Sequence, residues 1–165
     1  MSSASGTGQV HHILFLCLGN ICRSPAAEGI FKAYVDELGV ADSYKIDSAG
    51  TGDYHLGKSP DARMLAACKT RGYELTSRGR QVEPADFERF DHIIAMDRRN
   101  VENVLLLEPT AEQRKKMKLL SDFLGDDSRT DVPDPYHGGE DGFYFVIDMI
   151  KAACPEIDRR IRTPF

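Results

Sequence analysis

Ile13-Leu14-Phe15-Leu16-Cys17-Leu18-Gly19-Asn20-Ile21-Cys22-Arg23-Ser24-Pro25 begins as an unbroken apolar run and turns small and polar at a cysteine. The apolar part, residues 12–17, has the character of a central parallel strand buried on both faces. Pro25 falls where a first helical turn would begin and Ser24 is a suitable cap, so the spacing predicts a helix over residues 24–38. Ala27, Ile30, Phe31, Tyr34, Val35 and Leu38 keep helical period there, and Gly39 stops it. Between strand and helix, five residues separate Cys17 from Arg23. Gly19 and Asn20 tolerate the left-handed backbone angles that a tight loop needs. Such a loop turns its N–H groups inward as an anion nest, and the helix behind it adds the positive end of its dipole. A thiol at the base would be favoured as the thiolate, and an arginine at the rim forms a bidentate phosphate clamp. These parts suit phosphoryl transfer through cysteine.

Outward from this run, strands and helices alternate. Strands are predicted at 44–48, 92–96 and, weakly, 117–120. Helices are predicted from Ser59-Pro60-Asp61 to about residue 70, over a short piece at 84–90, and at 98–107 and 139–153. Residues 75–80 read as extended, and 121–136, rich in Asp, Pro and Gly, as a long loop. Alternation of this kind predicts an α/β fold: a three-layer αβα sandwich around a four-stranded, doubly wound parallel sheet, with a phosphate-binding loop after the first strand. Ligands of such sheets bind beyond the carboxyl ends of the strands, where Cys17, Ser48 and Asp97 all fall.

Bulk properties fit one globular domain. The chain has 165 residues, of which 41% are hydrophobic and 28% charged, and its net charge of −5 argues against a nucleic-acid binder. No apolar stretch approaches a membrane span and no signal-peptide pattern opens the chain, so no membrane partner and a cytoplasmic location are expected. Residues 1–10 read as a disordered tail and 11–165 as a single phosphatase-type domain. The four cysteines are too few and scattered for a disulfide framework, and no His or Cys stands at zinc-site spacing. No metal is expected.

Several side chains gain roles from this layout. Cys17 is the candidate nucleophile, with Leu18, Gly19, Asn20, Ile21, Cys22 and Ser24 as the phosphate cradle and Arg23 as the clamp. Ser24 is placed to bond the sulfur, Ser48 to brace Asn20, and Asp97 to hold the cradle or a neighbouring arginine. Asp134, in Val132-Pro133-Asp134-Pro135-Tyr136, sits in a proline-bracketed loop that holds a carboxylate stiffly for general acid chemistry. Tyr54, Tyr136 and His137 are candidate walls of a slot for a flat substrate. Cys22 is a candidate redox partner for Cys17.

Cys17-Leu18-Gly19-Asn20-Ile21-Cys22-Arg23-Ser24-Pro25, continued by Ala27-Glu28, resembles the signature loop of the low-molecular-weight protein tyrosine phosphatases. Ile46-Asp47-Ser48-Ala49-Gly50, Gly57-Lys58-Ser59-Pro60-Asp61, Ala95-Met96-Asp97 and Asp134-Pro135-Tyr136 are similar to that family's later landmarks, in the same order. The resemblance implies a two-step reaction without metal or cofactor. Cys17 attacks phosphorus, Arg23 and the loop amides hold the phosphoryl oxygens, and Asp134 protonates the departing phenolate and then activates water. Tyrosine-phosphorylated proteins are the implied partners, with the chain a monomer or weak homodimer. Two departures stand out: Tyr54 occupies a wall position where the family often has tryptophan, and His137 a position where a second tyrosine is common. The alternatives are an arsenate reductase of the same fold, which would need a resolving cysteine pair, and a catalytically idle phosphotyrosine-binding module.

Overall fold

The computed structural model describes residues 8–125 and 131–163. Most of the predicted tail, residues 1–7, and part of the predicted long loop, residues 126–130, lie outside the described residues. Four strands, β1 (His11–Cys17), β2 (Tyr44–Gly50), β3 (His92–Ala95) and β4 (Met117–Leu119), form one wholly parallel sheet in the order β2-β1-β3-β4. The chain leaves β1 for β2 on one side and later enters β3 on the other. The switch point therefore lies at the carboxyl end of β1, where Cys17 stands.

The continuous apolar run of β1 follows from its central place. Ile13 and Phe15 join the larger core with helices α1 (Arg23–Glu37), α2 (Ala62–Thr70) and α6 (Glu140–Arg162). Leu14 and Leu16 face the smaller core with Phe87 of α3 (Asp86–Arg89) and Val104 of α4 (Arg98–Leu105). All four of those β1 side chains are fully buried. This is the predicted three-layer αβα sandwich.

Element ends differ from the predictions for physical reasons. The last helix does not stop at Ala153 but continues through Pro155 to Arg162. An internal proline costs about 3 kcal/mol, and burial of Ile157 and Ile161 offsets it at about 1.5–3 kcal/mol for each side chain fully buried. The first helix starts at Arg23, with Cys22 as its N-cap and no side-chain cap bond. Ser24 is therefore not the cap; its hydroxyl is used elsewhere. Asp61 does cap α2, accepting the Arg63 N–H at 2.8 Å. Asp97 caps α4 in a reciprocal box with Asn100. The short helix α5 (Ala111–Arg114) is an unpredicted element, although Thr110 and Gln113 form the capping box that marks it. Unpredicted 3₁₀ turns cover Ala41–Ser43 and Leu120–Phe123.

Candidate active site

The loop after β1 curls with its carbonyls outward and its N–H groups inward. Cys17, Leu18 and Ile21 give their carbonyls to the N–H groups of Thr51, Gly52 and Asp61 at 2.9, 2.9 and 2.7 Å. Among the described residues, the N–H groups of 18–22 donate to no protein acceptor. An array of parallel, unpaired donors at a helix start that no side chain caps is an anion site by construction. Asn20 supplies the left-handed turn at φ 58°, while Gly19 stays outside that region, contrary to expectation. The absent side chain of Gly19 instead leaves room for the His55 ring, which would lie 3.0 Å from a Cβ there. Gly50 has the same function on the other flank, since a Cβ at that position would meet the Leu18 carbonyl at 2.7 Å.

A buried chain of hydrogen bonds stands behind the loop. Glu28 accepts the Ser48 hydroxyl at 2.6 Å, so Ser48 Oγ is free to accept from Asn20 Nδ2 at 3.0 Å. The Asn20 carbonyl oxygen takes the Arg80 N–H at 3.0 Å, which sets the amide orientation. Asn20 Nδ2 also donates to Ser24 Oγ at 2.8 Å. Ser24 Oγ lies 3.0 Å from Cys17 Sγ, a contact in which either atom can donate, and its proton also has the Ala49 carbonyl as an acceptor at 3.4 Å. The Ser24 N–H points to the same sulfur at 3.4 Å. Cys17 Sγ thus accepts the Ser24 N–H and stands at the end of a relay that starts on a carboxylate. The sequence marked Glu28 only as part of the continued signature and not as a partner of Ser48, which it faces because α1 packs beside β2.

Arg23 is 2% exposed and faces the same cavity. Its Nη1 donates to Asp97 Oδ2 at 2.6 Å and to the Val132 carbonyl at 3.0 Å, which leaves Nε and Nη2 for an anion. Asp97 thus holds the arginine, as its strand-end position predicted. Burial works against the Arg23 cation, but the charges of Cys17, Asp97 and Asp134 outweigh it and hold the pKa above its ordinary value. Burial, followed by the nearby Asp61 charge, pushes the Cys22 thiol up, so it stays protonated.

The cavity above the loop measures about 320 Å³. Cys17, Leu18, Gly19, Ile21, Cys22 and Arg23 form its floor, Asp134 its rim, and Tyr54, His55, Tyr136 and His137 its walls. Asn20, Ser24, Ser48 and Asp97 stand behind the floor rather than in it. Asp134 Oδ2 lies 3.7 Å from Arg23 Nη2, and Oδ1 accepts the Tyr136 N–H at 3.0 Å. The walls are a file of rings with centroids 6.4 Å (Tyr54–His55), 6.3 Å (His55–Tyr136) and 5.0 Å (Tyr136–His137) apart. His55 is the wall residue that sequence reading missed; its place between two predicted tyrosines was its only signal.

Residues 12–163 match the family model of the low molecular weight phosphotyrosine protein phosphatases. A low molecular weight protein-tyrosine-phosphatase of Streptomyces coelicolor is 40% identical, over 92% of this chain and 94% of its own. The low molecular weight phosphotyrosine protein phosphatase of Schizosaccharomyces pombe is 41% identical over 79% of this chain and 84% of its own. Among solved structures, a protein tyrosine phosphatase from Entamoeba histolytica superposes with a TM-score of 0.89 at 42% identity, covering 93% of this chain and 98% of its own. A Drosophila arginine phosphatase superposes with a TM-score of 0.86 at 31% identity, covering 93% and 98%. With a match that runs from β1 to the end of α6, this chain belongs to the low molecular weight phosphotyrosine protein phosphatase family.

Proposed function

We propose that this protein hydrolyses phosphotyrosine in proteins through a phosphocysteine on Cys17. The observation that carries the reading is the ring of unpaired N–H groups and the half-used Arg23 fork around one sulfur that accepts the Ser24 N–H. A phosphoryl group seated there meets the N–H groups of residues 18–22 and the free nitrogens of Arg23, and these contacts strengthen as charge gathers on its equatorial oxygens. The Cys17 thiolate attacks phosphorus in line. The P–O bond to the phenol breaks, and Asp134 transfers its proton to the departing oxygen. Asp134, now a carboxylate, takes a proton from water, whose oxygen displaces Cys17 from phosphorus and releases phosphate. Tyr54, Tyr136, His137 and His55 accept the flat phenyl ring, and the depth of the floor below them favours an aryl phosphate over a shorter alkyl one.

Residues 11–165 act in this reading as one cytoplasmic domain, a monomer or weak homodimer. Cys22 adds a redox lock. Peroxide oxidises the Cys17 thiolate to a sulfenic acid, and the Cys22 thiol displaces water from it to close a reducible disulfide.

Hydrolysis of p-nitrophenyl phosphate in EDTA by wild type, Cys17→Ser and Asp134→Asn tests the reading. Turnover by wild type, its loss in Cys17→Ser and its strong reduction in Asp134→Asn are expected. A wild type that turns over nothing, or a Cys17→Ser variant that still works, overturns the mechanism. Thioredoxin-coupled arsenate reduction, or phosphotyrosine binding without hydrolysis, would replace it.

A further inference from the structure

Arg63 takes no part in the steps above, yet it joins the two halves of the site. It lies in the first turn of α2, outside the cavity lining. Its Nε and Nη2 fork the Asp61 carboxylate at 3.1 and 2.9 Å, and Nη2 also donates to the Tyr136 carbonyl at 2.8 Å. The guanidinium lies over two rings, 5.3 Å from the Tyr136 centroid and 4.8 Å from that of Phe143 at the start of α6. Both ends of this contact run on into the site. The Asp61 N–H donates to the Ile21 carbonyl of the phosphate loop at 2.7 Å, and the Tyr136 N–H donates to Asp134 Oδ1 at 3.0 Å. An unbroken line therefore leads from the phosphate loop through Asp61, Arg63 and Tyr136 to the Asp134 carboxyl.

The segment that carries Asp134 needs such a line. Before Asp134 it is fastened three times, by the Arg98 N–H on Asp131 Oδ1 at 3.0 Å, by the Val132 N–H on the Met96 carbonyl at 2.8 Å and by Arg23 on the Val132 carbonyl. After Asp134, among the described residues, the backbone bonds of 135–139 stay local, as in the Gly138 N–H on the Pro135 carbonyl. Among the described residues, the Arg63 bond is the one hydrogen bond from this stretch to another element. Arginine suits the place because its planar fork serves a carboxylate and a carbonyl together while its faces stack on rings; a lysine supplies only the charge.

We propose that Arg63 is a positioning residue that sets the reach of the Asp134 carboxyl over the phosphate loop. The proposal rests on the acid role given to Asp134 above. Proton donation matters most when the departing phenolate is basic, as from phosphotyrosine, and least for p-nitrophenolate. A misplaced acid therefore steepens the dependence of kcat/KM, which reports the step that breaks the P–O bond, on leaving-group basicity, whereas a general loss of folded enzyme lowers all substrates equally.

The test is a series of aryl phosphates with wild type, Arg63→Ala, Arg63→Lys and Asp134→Asn, with a thermal melt of each. For Arg63→Ala, kcat/KM on phosphotyrosine should fall about 10- to 100-fold, the scale of a displaced catalytic group, against about threefold on p-nitrophenyl phosphate. Inhibition by inorganic phosphate should move by less than about twofold, because the cradle of N–H groups is intact. Arg63→Lys should fall between wild type and Arg63→Ala, and it carries the test if the alanine variant melts as an unfolded chain. A wild-type leaving-group slope in both variants, or an equal loss on every substrate, overturns the role of Arg63. A wild-type slope in Asp134→Asn overturns the acid assignment itself, whatever Arg63 does.

Discussion

The two ends of the β-sheet handle charge in opposite ways. At the amino end, Tyr44 donates its hydroxyl to Asp158 Oδ1 at 2.5 Å, and Arg162 clasps both oxygens of the same carboxylate at 2.7 and 2.9 Å. Burial alone would raise the Asp158 pKa, but the Arg162 and Tyr44 bonds outweigh it and hold the carboxyl below its ordinary value. His11 and His92 stand beside this cluster, and burial keeps both below the usual imidazole value. Each strong group there has its partner within the protein. At the carboxyl end the Cys17, Leu18, Ile21 and Cys22 carbonyls of the phosphate loop are matched, but its N–H groups and half of the Arg23 fork are left open around Cys17. Buried polar groups in folded proteins are nearly always paired, so an array left open at one end marks the place that a ligand completes. A closed network serves stability and an open one serves binding.

That contrast breaks first at Cys17. Cys17→Ser should lower turnover of aryl phosphates by at least about 10⁴-fold, as when an enzyme loses its nucleophile, with phosphate binding retained; steady-state rates and phosphate protection of the melt check both. Asp134→Asn should lower kcat on phosphotyrosine by about 10²–10⁴-fold, the usual share of a general acid, read from single-turnover kinetics. Ser48→Ala removes the link between Glu28 and Asn20 and leaves buried partners unmatched. Urea melts should show a loss of about 1–3 kcal/mol, and kcat should fall as the proton order behind Cys17 loosens. Tyr54, 69% exposed, holds only a wall. Tyr54→Ala should raise KM for a phosphotyrosyl peptide about three- to tenfold, the equivalent of a lost aromatic contact, with inhibition by phosphate unmoved. The smallest kinetic effect belongs to the closed end. Because the folded pKa of Asp158 is depressed, its stabilisation is complete above the ordinary carboxylate value and is lost as pH falls through the lower folded one. Asp158→Asn should flatten that acid limb in a series of melts while kcat/KM stays within about twofold, as surface-distant changes usually do.

How much of this was legible followed the distance between partners in the chain. The β1 run, the loop and the helix behind it are contiguous, so local period and punctuation located the cradle, and strand ends placed Ser48 and Asp97 beside it. Partners brought together by packing left no such trace. Glu28 meets Ser48 across twenty residues, and Arg63 meets Tyr136 across seventy-three. His55 gained its wall position from the turn after β2. The last helix differs in the other direction: it runs on past the local breaker Pro155 because Ile157 and Ile161 have a buried face to fill. Ser24 looked like a helix cap because caps are its commonest use, and only the relay to Cys17 Sγ revealed another. The cradle, assembled from neighbours in sequence, fixes the reaction. The walls and straps, assembled from distant segments, set its substrate and its precision.

The most direct measurement is rapid acid quench of wild type turning over phosphotyrosine, followed by mass spectrometry of its peptides. The account predicts phosphate covalently on the peptide that holds Cys17, at its sulfur, and a stoichiometric burst of tyrosine before steady turnover if breakdown of that adduct is slower than its formation. Turnover with no phosphorylated Cys17 under any quench, or with the phosphoryl group on another side chain, would contradict it.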